Sequence, residues 1–257
     1  MKTLTRYLGR RKIAIYLLMK RPRDKFTTHT FHRLRVEIKK LNAFFQLIGF
    51  CSDDFKRKKT FKPFGKLFRQ AGKVRELQLE KKVLKNYKLD NLLMDYLERL
   101  NKLRAVEKET FFSMLKGKPA SKLKKKFQVI VPHIFKIDSI KEAEYLAEYK
   151  ILFNEIQTQQ ALEPHQIHHI RKWLKELWYN CKILSIEPQN IPVLNKSYLP
   201  ALLGKWHDYD IIINHIKFMI QNGKVNYQEI NCIENIIEKL SSDRESLFNN
   251  LLTDLIA

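Results

Sequence analysis

Two segments of the chain carry the same pattern of cationic and apolar side chains 136 residues apart. At this constant offset, residues 29–48 align with residues 165–184, and His29 falls on His165. The other matched pairs are His32/His168, Arg35/Arg171, Lys39/Lys175, Phe31/Ile167, Leu34/Ile170, Ile38/Leu174, Leu41/Leu177, Phe45/Cys181 and Ile48/Leu184. Because a repeat of this kind implies two copies of one structural unit, it limits the architectures open to the chain.

Each copy has the periodicity of an amphipathic helix. At about 100° per residue, His32, Arg35 and Lys39 lie within roughly 60° of one another, and the apolar set is centred roughly 130° away. The second copy repeats this arrangement, with Lys172 and Lys182 added to the cationic side. We therefore predict two helices that each bury one side and present His, Arg and Lys on the other.

The starts of these helices favour anion binding. Thr27 is a plausible N-cap for the first copy, and Pro164 suits the first turn of the second. His32 and His168 then lie near the positive end of a helix dipole, where free N–H groups point outward. The pKa of a histidine rises beside a polyanion, and a protonated histidine donates from both ring nitrogens. The predicted ligand of this face is an anion, and phosphate is the obvious one.

Charge is distributed unevenly along this strongly basic chain of 257 residues, whose net charge is +22. Residues 1–150 carry +24, and residues 151–257 carry −2. A bulk field could attract a polyanion to the first part but not to the second. Four of the ten basic residues after position 150 (Arg171, Lys172, Lys175 and Lys182) fall on the second repeated helix, which favours a specific anion site.

The fold class predicted from these patterns is all-α, since helical periodicity is extensive and no segment shows sustained β alternation. The expected helices span about 4–19, 28–49, 56–87, 89–116, 121–131, 139–160, 164–186, 196–222 and 226–256. This gives two sets of four helices with a short basic helix between them, in a single domain whose halves are 1–117 and 118–257. Pro132 is expected to lie beyond the short helix, in the junction.

A weaker repeat lies in the helix that follows each motif helix. Residues 72–79 (Gly-Lys-Val-Arg-Glu-Leu-Gln-Leu) align with residues 204–211 (Gly-Lys-Trp-His-Asp-Tyr-Asp-Ile). Each glycine could allow two helices to cross closely, or could leave room for a ligand. On the second interpretation, the side chains beside that ligand are Lys73, Arg75, Lys205 and His207.

The doubled motif resembles the conserved histidine α-helical domain (CHAD) family, whose hallmark is His-x-x-Arg-(x)3-Lys/Arg once in each half. The motif stands here at 32–39 and 168–175, and residues 204–210 resemble the Gly-x-x-x-Asp-x-Asp element of the family. The resemblance covers nearly the whole chain. Three positions depart from the family pattern: Glu76 and Gln78 stand where Asp is preferred, and Trp178 where Arg is usual.

The resemblance implies two four-helix bundles related by a pseudo-two-fold axis, with a basic groove or pore between them. It also implies binding of inorganic polyphosphate and residence at polyphosphate granules, with polyphosphate-metabolising enzymes as possible partners. The predicted binding residues are His32, Arg35, Lys39, Lys40, Lys73, Arg75, His168, Arg171, Lys172, Lys175, Lys182, Lys205 and His207. No catalytic residue, cofactor or metal site is predicted. The triphosphate-tunnel motif Glu-x-Glu-x-Lys is absent, because Glu142 and Glu144 lack the following Lys.

Three other functions stay open from the residues alone. A helical nucleic-acid binder would use the Lys-rich runs at 56–59 and 122–126, although the repeated faces hold few aromatics on which bases could stack. A metal site could use the His-x-x-His spacing, although cations surround it. A phosphate-transferring histidine enzyme is the third, although no Walker loop or paired carboxylates are present.

The expected setting is the cytoplasm, without membrane partners. Three cysteines without metal or redox spacing suit a reducing compartment. The apolar segment 13–19 is too short to span a membrane and lacks a cleavage site for a signal peptide. His133, His169, His215, Trp173, Trp178 and Trp206 are expected to be structural.

Overall fold

The computed structural model describes residues 2–87, 91–117, 119–158, 162–196 and 198–256. Over these residues the protein is all-helical and contains no β-strand. One 3₁₀ turn, Pro188–Asn190, precedes α8. The α-helices are α1 (Lys2–Met19), α2 (Thr28–Cys51), α3 (Arg57–Asn86), α4 (Met94–Lys116), α5 (Pro119–Ile134), α6 (Ser139–Gln157), α7 (Pro164–Ile183), α8 (Pro192–Asn195), α9 (Leu199–Gln221) and α10 (Tyr227–Ile256).

The two motif helices form where the repeat predicts them, as α2 and α7. Thr27 occupies the N-cap position of α2, but its side chain makes no capping bond and instead lies 3.3 Å from the Thr30 hydroxyl. At α7, the Glu163 backbone N–H donates to the Gln166 side chain at 2.6 Å, and Pro164 begins the helix as expected. Residues close in sequence therefore fix where α2 and α7 begin, but the contacts at the two N-termini differ.

Two helices differ by several residues from their predicted bounds: α4 begins at Met94 rather than at 89, and the short basic helix α5 is extended at both ends. Instead of ending at 131, α5 continues through Pro132 to Ile134. Proline removes one helical hydrogen bond, but here it lies in the last turn, where few further bonds are lost. Burial of Ile130 and Ile134, both 0% exposed, stabilises the extended helix. The predicted helix positions 89, 90, 159, 160 and 197, and position 118 of the junction, lie outside the described residues.

The predicted apolar faces of α2 and α7 are confirmed. All six predicted apolar side chains of α2 are at most 1% exposed, and the matched set on α7 is buried except for the half-buried Leu184. The α2 helix also buries Phe44 and Leu47 on another side, because it packs against α1, α3, α5, α6 and α7. Because α2 has neighbours on several sides, its basic stripe is partly shielded from solvent.

Elements with matching sequence meet in the folded chain. The α2 helix packs on α7, and α3 packs on α9. The large core takes residues from both halves, and a smaller core joins α3 and α4 to α9 and α10. Packing across the chain midpoint therefore brings the two basic helix faces together. The duplication into halves 1–117 and 118–257 stays a prediction.

No helix in the described ranges combines the length and the low polarity that crossing a bilayer requires. Cys51, Cys181 and Cys232 are free thiols, the first two buried.

Candidate anion-binding site

A cavity of about 320 Å³ lies where the basic faces of α2 and α7 meet. Helices α3 and α9 contribute one side chain each, Phe68 and His207. Seven predicted binding residues line it: Arg35, Lys39, His168, Arg171, Lys172, Lys175 and His207. Packing therefore gathers cations that lie far apart in sequence into one partly enclosed space.

On the α2 side, Arg35 occupies a prepared position. A Cβ atom at Gly72 would lie 1.9 Å from Arg35 Nη1, so the missing side chain of this buried glycine makes room for the guanidinium. The guanidinium also lies over the Phe68 ring, 4.4 Å from its centroid, and Nη1 is 3.4 Å from Glu76 Oε1. The room predicted for a ligand at this glycine is thus taken by a protein cation.

The matching glycine on α9 is less constrained. A Cβ atom at Gly204 would meet Lys175 Nζ at 3.7 Å, which is an ordinary van der Waals distance. Both glycines therefore face a motif cation, but only Gly72 is required for that cation to keep its place.

Three cations at the centre of the cavity form no ion pair with any described residue: Lys39, Arg171 and Lys175. Burial, followed by the charges of Lys175, Arg35 and Arg171, lowers the pKa of Lys39 to about 7. Burial and then Arg171 lower the pKa of Lys175 to about 8. These ammonium groups have lost hydration and gained like-charged neighbours, so their charged forms are disfavoured in the absence of an anion.

Arg171 is the most buried of the three. Arg171 is only 8% exposed, and its Nε has no hydrogen-bond partner among the described residues. A guanidinium cannot lose its proton under ordinary conditions, so it stays charged despite burial. A buried donor without a partner costs roughly 1–3 kcal/mol, which an anion accepting from Arg171 would offset.

Burial and neighbouring cations favour the neutral forms of the two histidines that line the site. His168 and His207 lie 4.7 Å apart, measured between ring centroids. Burial, and then Arg171, lowers the pKa of His207 to about 3, and burial followed by Lys172 lowers the pKa of His168. Without an anion each neutral ring can donate one hydrogen bond, and His207 Nδ1 has no partner among the described residues. That a polyanion raises the pKa of these histidines stays a prediction.

One carboxylate, Asp208 on α9, lies within the field of these cations without forming an ion pair. Burial raises its pKa, while Arg75, Arg171 and Lys175 act in the opposite direction. Asp210 accepts from Arg244 of α10 at 2.8 Å, and its charge opposes the lowering of the His168 pKa. Asp208 thus only partly balances the positive charge, and Asp210 serves the contact between α9 and α10.

Comparison with known proteins assigns the chain to a family. The CHAD domain family model matches residues 23–217. The chain belongs to the CHAD domain family. The crystal structure of the CHAD domain from the plant Ricinus communis is similar to this fold, with a TM-score of 0.79 at 12% sequence identity, over 100% of this chain and 91% of that chain. No curated protein matches.

The other predicted binding residues of this CHAD domain do not line the cavity. His32 and Arg75 lie close enough for the charge of Arg75 to help lower the pKa of His32, after the larger effect of burial. The remaining four have partners elsewhere: Lys40 pairs with Glu37 (3.0 Å) and Lys73 with Glu107 (3.3 Å), while Lys182 lies over Trp178 (3.7 Å) and Lys205 over Tyr209 (5.5 Å).

Four lining residues were not predicted: Asn42, Phe68, Glu176 and Tyr179. Helical spacing could have indicated Asn42 and Tyr179, which follow Lys39 and Lys175 by three and four positions. Glu176 accepts from Asn42 and Gln46, each at 3.2 Å, and burial raises its pKa. Phe68 lies on α3, outside the repeat, and carries no sequence signal.

The residues expected to be structural mostly are. His215 binds the buried Glu80 at 2.6 Å, and His133 lies 2.8 Å from the Ser52 hydroxyl. Trp206 is buried, while Trp173 and Trp178 pack at the edge of the core. Arg57, in the Lys-rich run at 56–59, is half-buried, with Nη2 3.5 Å from Asn42 Oδ1. Among the described residues, no three His, Cys, Asp or Glu side chains are grouped to hold a metal ion.

Proposed function

We propose that this CHAD domain binds inorganic polyphosphate, without catalysis, in the cavity between α2 and α7. The observation that carries the proposal is the convergence of Lys39, Arg171 and Lys175 on one partly buried space, with no ion pair to a described residue. A phosphate chain carries about one negative charge per phosphate and can contact several cations in succession. Each contact would restore an interaction that these cations lack in the empty protein.

The cations divide the work by their chemistry. Arg171 offers paired N–H donors that match two phosphate oxygens, and Lys39 and Lys175 supply point charges that need no fixed angle. Lys172, which is exposed at the cavity wall, extends the positive surface toward solvent. Neutral His168 and His207 can each donate one hydrogen bond, and a bound polyanion would raise their pKa.

The aromatic wall supports phosphate over nucleic acid. Phe68 lies beneath Arg35, and Lys39 is 5.8 Å from the same ring centroid. This face of Phe68 is therefore used to hold cations, whereas a binder of single-stranded nucleic acid would leave it open for a base. RNA is expected to bind only through its phosphates. Polyphosphate granules, with polyphosphate-metabolising enzymes as partners, are the proposed setting.

The test compares two double variants for binding of long-chain polyphosphate. Lys39→Met/Lys175→Met removes two cavity charges while keeping side chains of similar length. Lys58→Met/Lys59→Met removes two exposed charges and serves as the matched control. At about 0.3 M salt, where bulk attraction is weakened, we expect the cavity variant to lose about 100-fold in affinity and the control about twofold.

Single-stranded RNA of equal phosphate charge provides the second arm, measured under the same conditions. We expect wild type to bind it far more weakly than polyphosphate and to release it when polyphosphate is added. If both double variants lost affinity equally, or if wild type bound both ligands equally, the net charge of the protein rather than the cavity would explain binding. The nucleic-acid alternative would then be favoured. Because polyphosphate binds the folded state, an excess should also raise the melting temperature.

A further inference from the structure

Helix α1 exposes an apolar stripe to solvent. Ile13, Tyr16 and Leu17 are 59%, 42% and 60% exposed, and their i, i+3, i+4 spacing puts them on one face of the helix. The opposite face of α1 is already buried, by Leu4, Leu8, Ile15 and Leu18. An outward face of this kind is normally polar, so the contiguous stripe indicates a surface with a partner.

The stripe forms the ridge between two concave surfaces. On one side, a groove of about 480 Å³ runs between α1 and α5, with Leu123 and Phe127 of α5 lining it together with Ile13, Tyr16 and Leu17. On the other side, a cavity of about 360 Å³ is lined by Ile13 and Leu17 and by three arginines: Arg10, Arg21 and Arg33. The α1–α5 groove is large enough to receive bulky apolar side chains from a partner.

The rim of this surface carries only positive charge. Lys12 and Lys124 line the α1–α5 groove, and arginines line the other cavity. The first 23 residues contain eight Lys or Arg and no Asp or Glu. The family model starts at residue 23, so α1 lies outside the matched segment. Of the lining residues, only Arg33 lies on a motif helix, at a position between His32 and Arg35 that the motif does not use.

We infer that the α1–α5 groove is the docking site for an acidic amphipathic helix of a partner protein. Its apolar side chains would enter the groove between Leu17 and Phe127, and its Asp and Glu side chains would face Lys12 and Lys124. A second copy of this chain is a poor occupant because both copies carry +22. A flat bilayer surface would leave the concave groove unfilled.

Selection of a phage-displayed library of helical peptides against the immobilised full chain, without polyphosphate, tests the inference. Enriched peptides should place Leu or Phe at i, i+3 or i+4, and i+7, with Asp or Glu beside them. Synthesised peptides should bind Ile13→Asp/Leu17→Asp about tenfold more weakly than wild type. Ile140→Asp/Ile151→Asp, which changes equally exposed residues on α6, is the matched control and should bind normally.

Charge reversal distinguishes specific docking from non-specific binding. Lys12→Glu/Lys124→Glu should lose the acidic peptides and bind versions in which their Asp and Glu are replaced by Lys. Unchanged melting temperature and polyphosphate affinity in all variants show that the fold and the anion cavity are intact. Absence of enriched acidic helices, or equal binding to the Ile13/Leu17 variant, overturns the inference. So does sedimentation with phosphatidylcholine–phosphatidylglycerol vesicles that depends on Ile13 and Leu17, which would assign the surface to a membrane.

Discussion

The two copies of the repeated helix hold equivalent arginines in different surroundings. On α2, Arg35 is 3.4 Å from Glu76 Oε1, lies over Phe68 and fills the space left by Gly72. On α7, Arg171 is more buried, its Nε has no partner, and Asp208 is near but forms no ion pair with it. The same motif thus supplies one cation that is largely satisfied within the fold and one that is left for a ligand.

For the matched lysines, the residue on α2 is the one whose charged form is more disfavoured. Lys39 on α2 has its pKa lowered to about 7, and Lys175 on α7 has its pKa lowered to about 8. Lys39 is affected more because Lys175, Arg35 and Arg171 all act on it in addition to burial. Residues at matched positions of the repeat therefore differ in how strongly their surroundings disfavour their charge. The same substitution made in both copies tests each difference.

The largest expected effect is on stability. Lys39→Met removes an unfavourable buried charge and should stabilise the empty protein at pH 7 by on the order of 3 kcal/mol, and Lys175→Met by on the order of 2 kcal/mol. Chemical denaturation of each variant in phosphate-free buffer measures this. A loss of stability in both variants would show that the empty cavity is not electrostatically unfavourable.

The next largest expected effect is a difference in polyphosphate affinity between variants of the two matched arginines. Arg171→Met is expected to weaken polyphosphate binding about tenfold or more, because it removes charged donors from a poorly hydrated space. Arg35→Met should cost only a few-fold, since Glu76 already satisfies part of its charge. Titration calorimetry of the two variants gives the ratio directly. Equal losses would mean that the ion pair with Glu76 does not withhold Arg35 from the ligand.

The lowered lysine pKa values predict that binding takes up protons. At pH 8, Lys39 is largely neutral in the empty cavity, and a bound polyanion would recharge it. Affinity should fall as pH rises from about 7 to 9, by at most tenfold per pH unit for each proton taken up. Calorimetry in buffers of different ionisation enthalpy counts these protons. The Lys39→Met variant should take up fewer protons on binding, and the remaining uptake should come from Lys175.

The stability of the empty protein should change with pH in the opposite sense. The folded-state pKa of Lys39 lies below the ordinary 10.5, so the unfolded chain binds more protons between about pH 7 and 10.5. The contribution of Lys39 is therefore most unfavourable below about pH 7, and stability rises as pH increases across this window. Wild type and Lys39→Met, compared at several pH values, should differ less at pH 10 than at pH 7.

The smallest expected effects come from the paired glycines. Gly204→Ala should raise stability by up to about 1 kcal/mol through helix propensity and leave binding nearly unchanged. Gly72→Ala gains the same propensity but displaces the guanidinium of Arg35, so polyphosphate affinity should fall a few-fold. Melting temperature and affinity, measured on both variants, separate these outcomes. Identical behaviour of the two glycines would contradict the special role of Gly72.

Much of the fold could be predicted because helical periodicity is a local property. The spacing of Phe31, Leu34 and Ile38 determines which side of α2 becomes buried, and the same spacing places Arg35 and Lys39 together on another face. The doubled motif indicated the CHAD family and the two helices that line most of the proposed anion site. Local patterns were less useful at helix ends, as the continuation of α5 through Pro132 shows.

Packing between helices decided the rest. Periodicity gives the angle of a side chain around its own axis, but it does not say which other axis that side chain faces. Phe68 enters the cavity from α3, Lys73 pairs with Glu107 of α4, and Gly72 of α3 makes room for Arg35 of α2. Whether a cation remains hydrated depends on every helix around it, so the lowered pKa of Lys39 and the unpartnered Nε of Arg171 arise only when α2 and α7 meet.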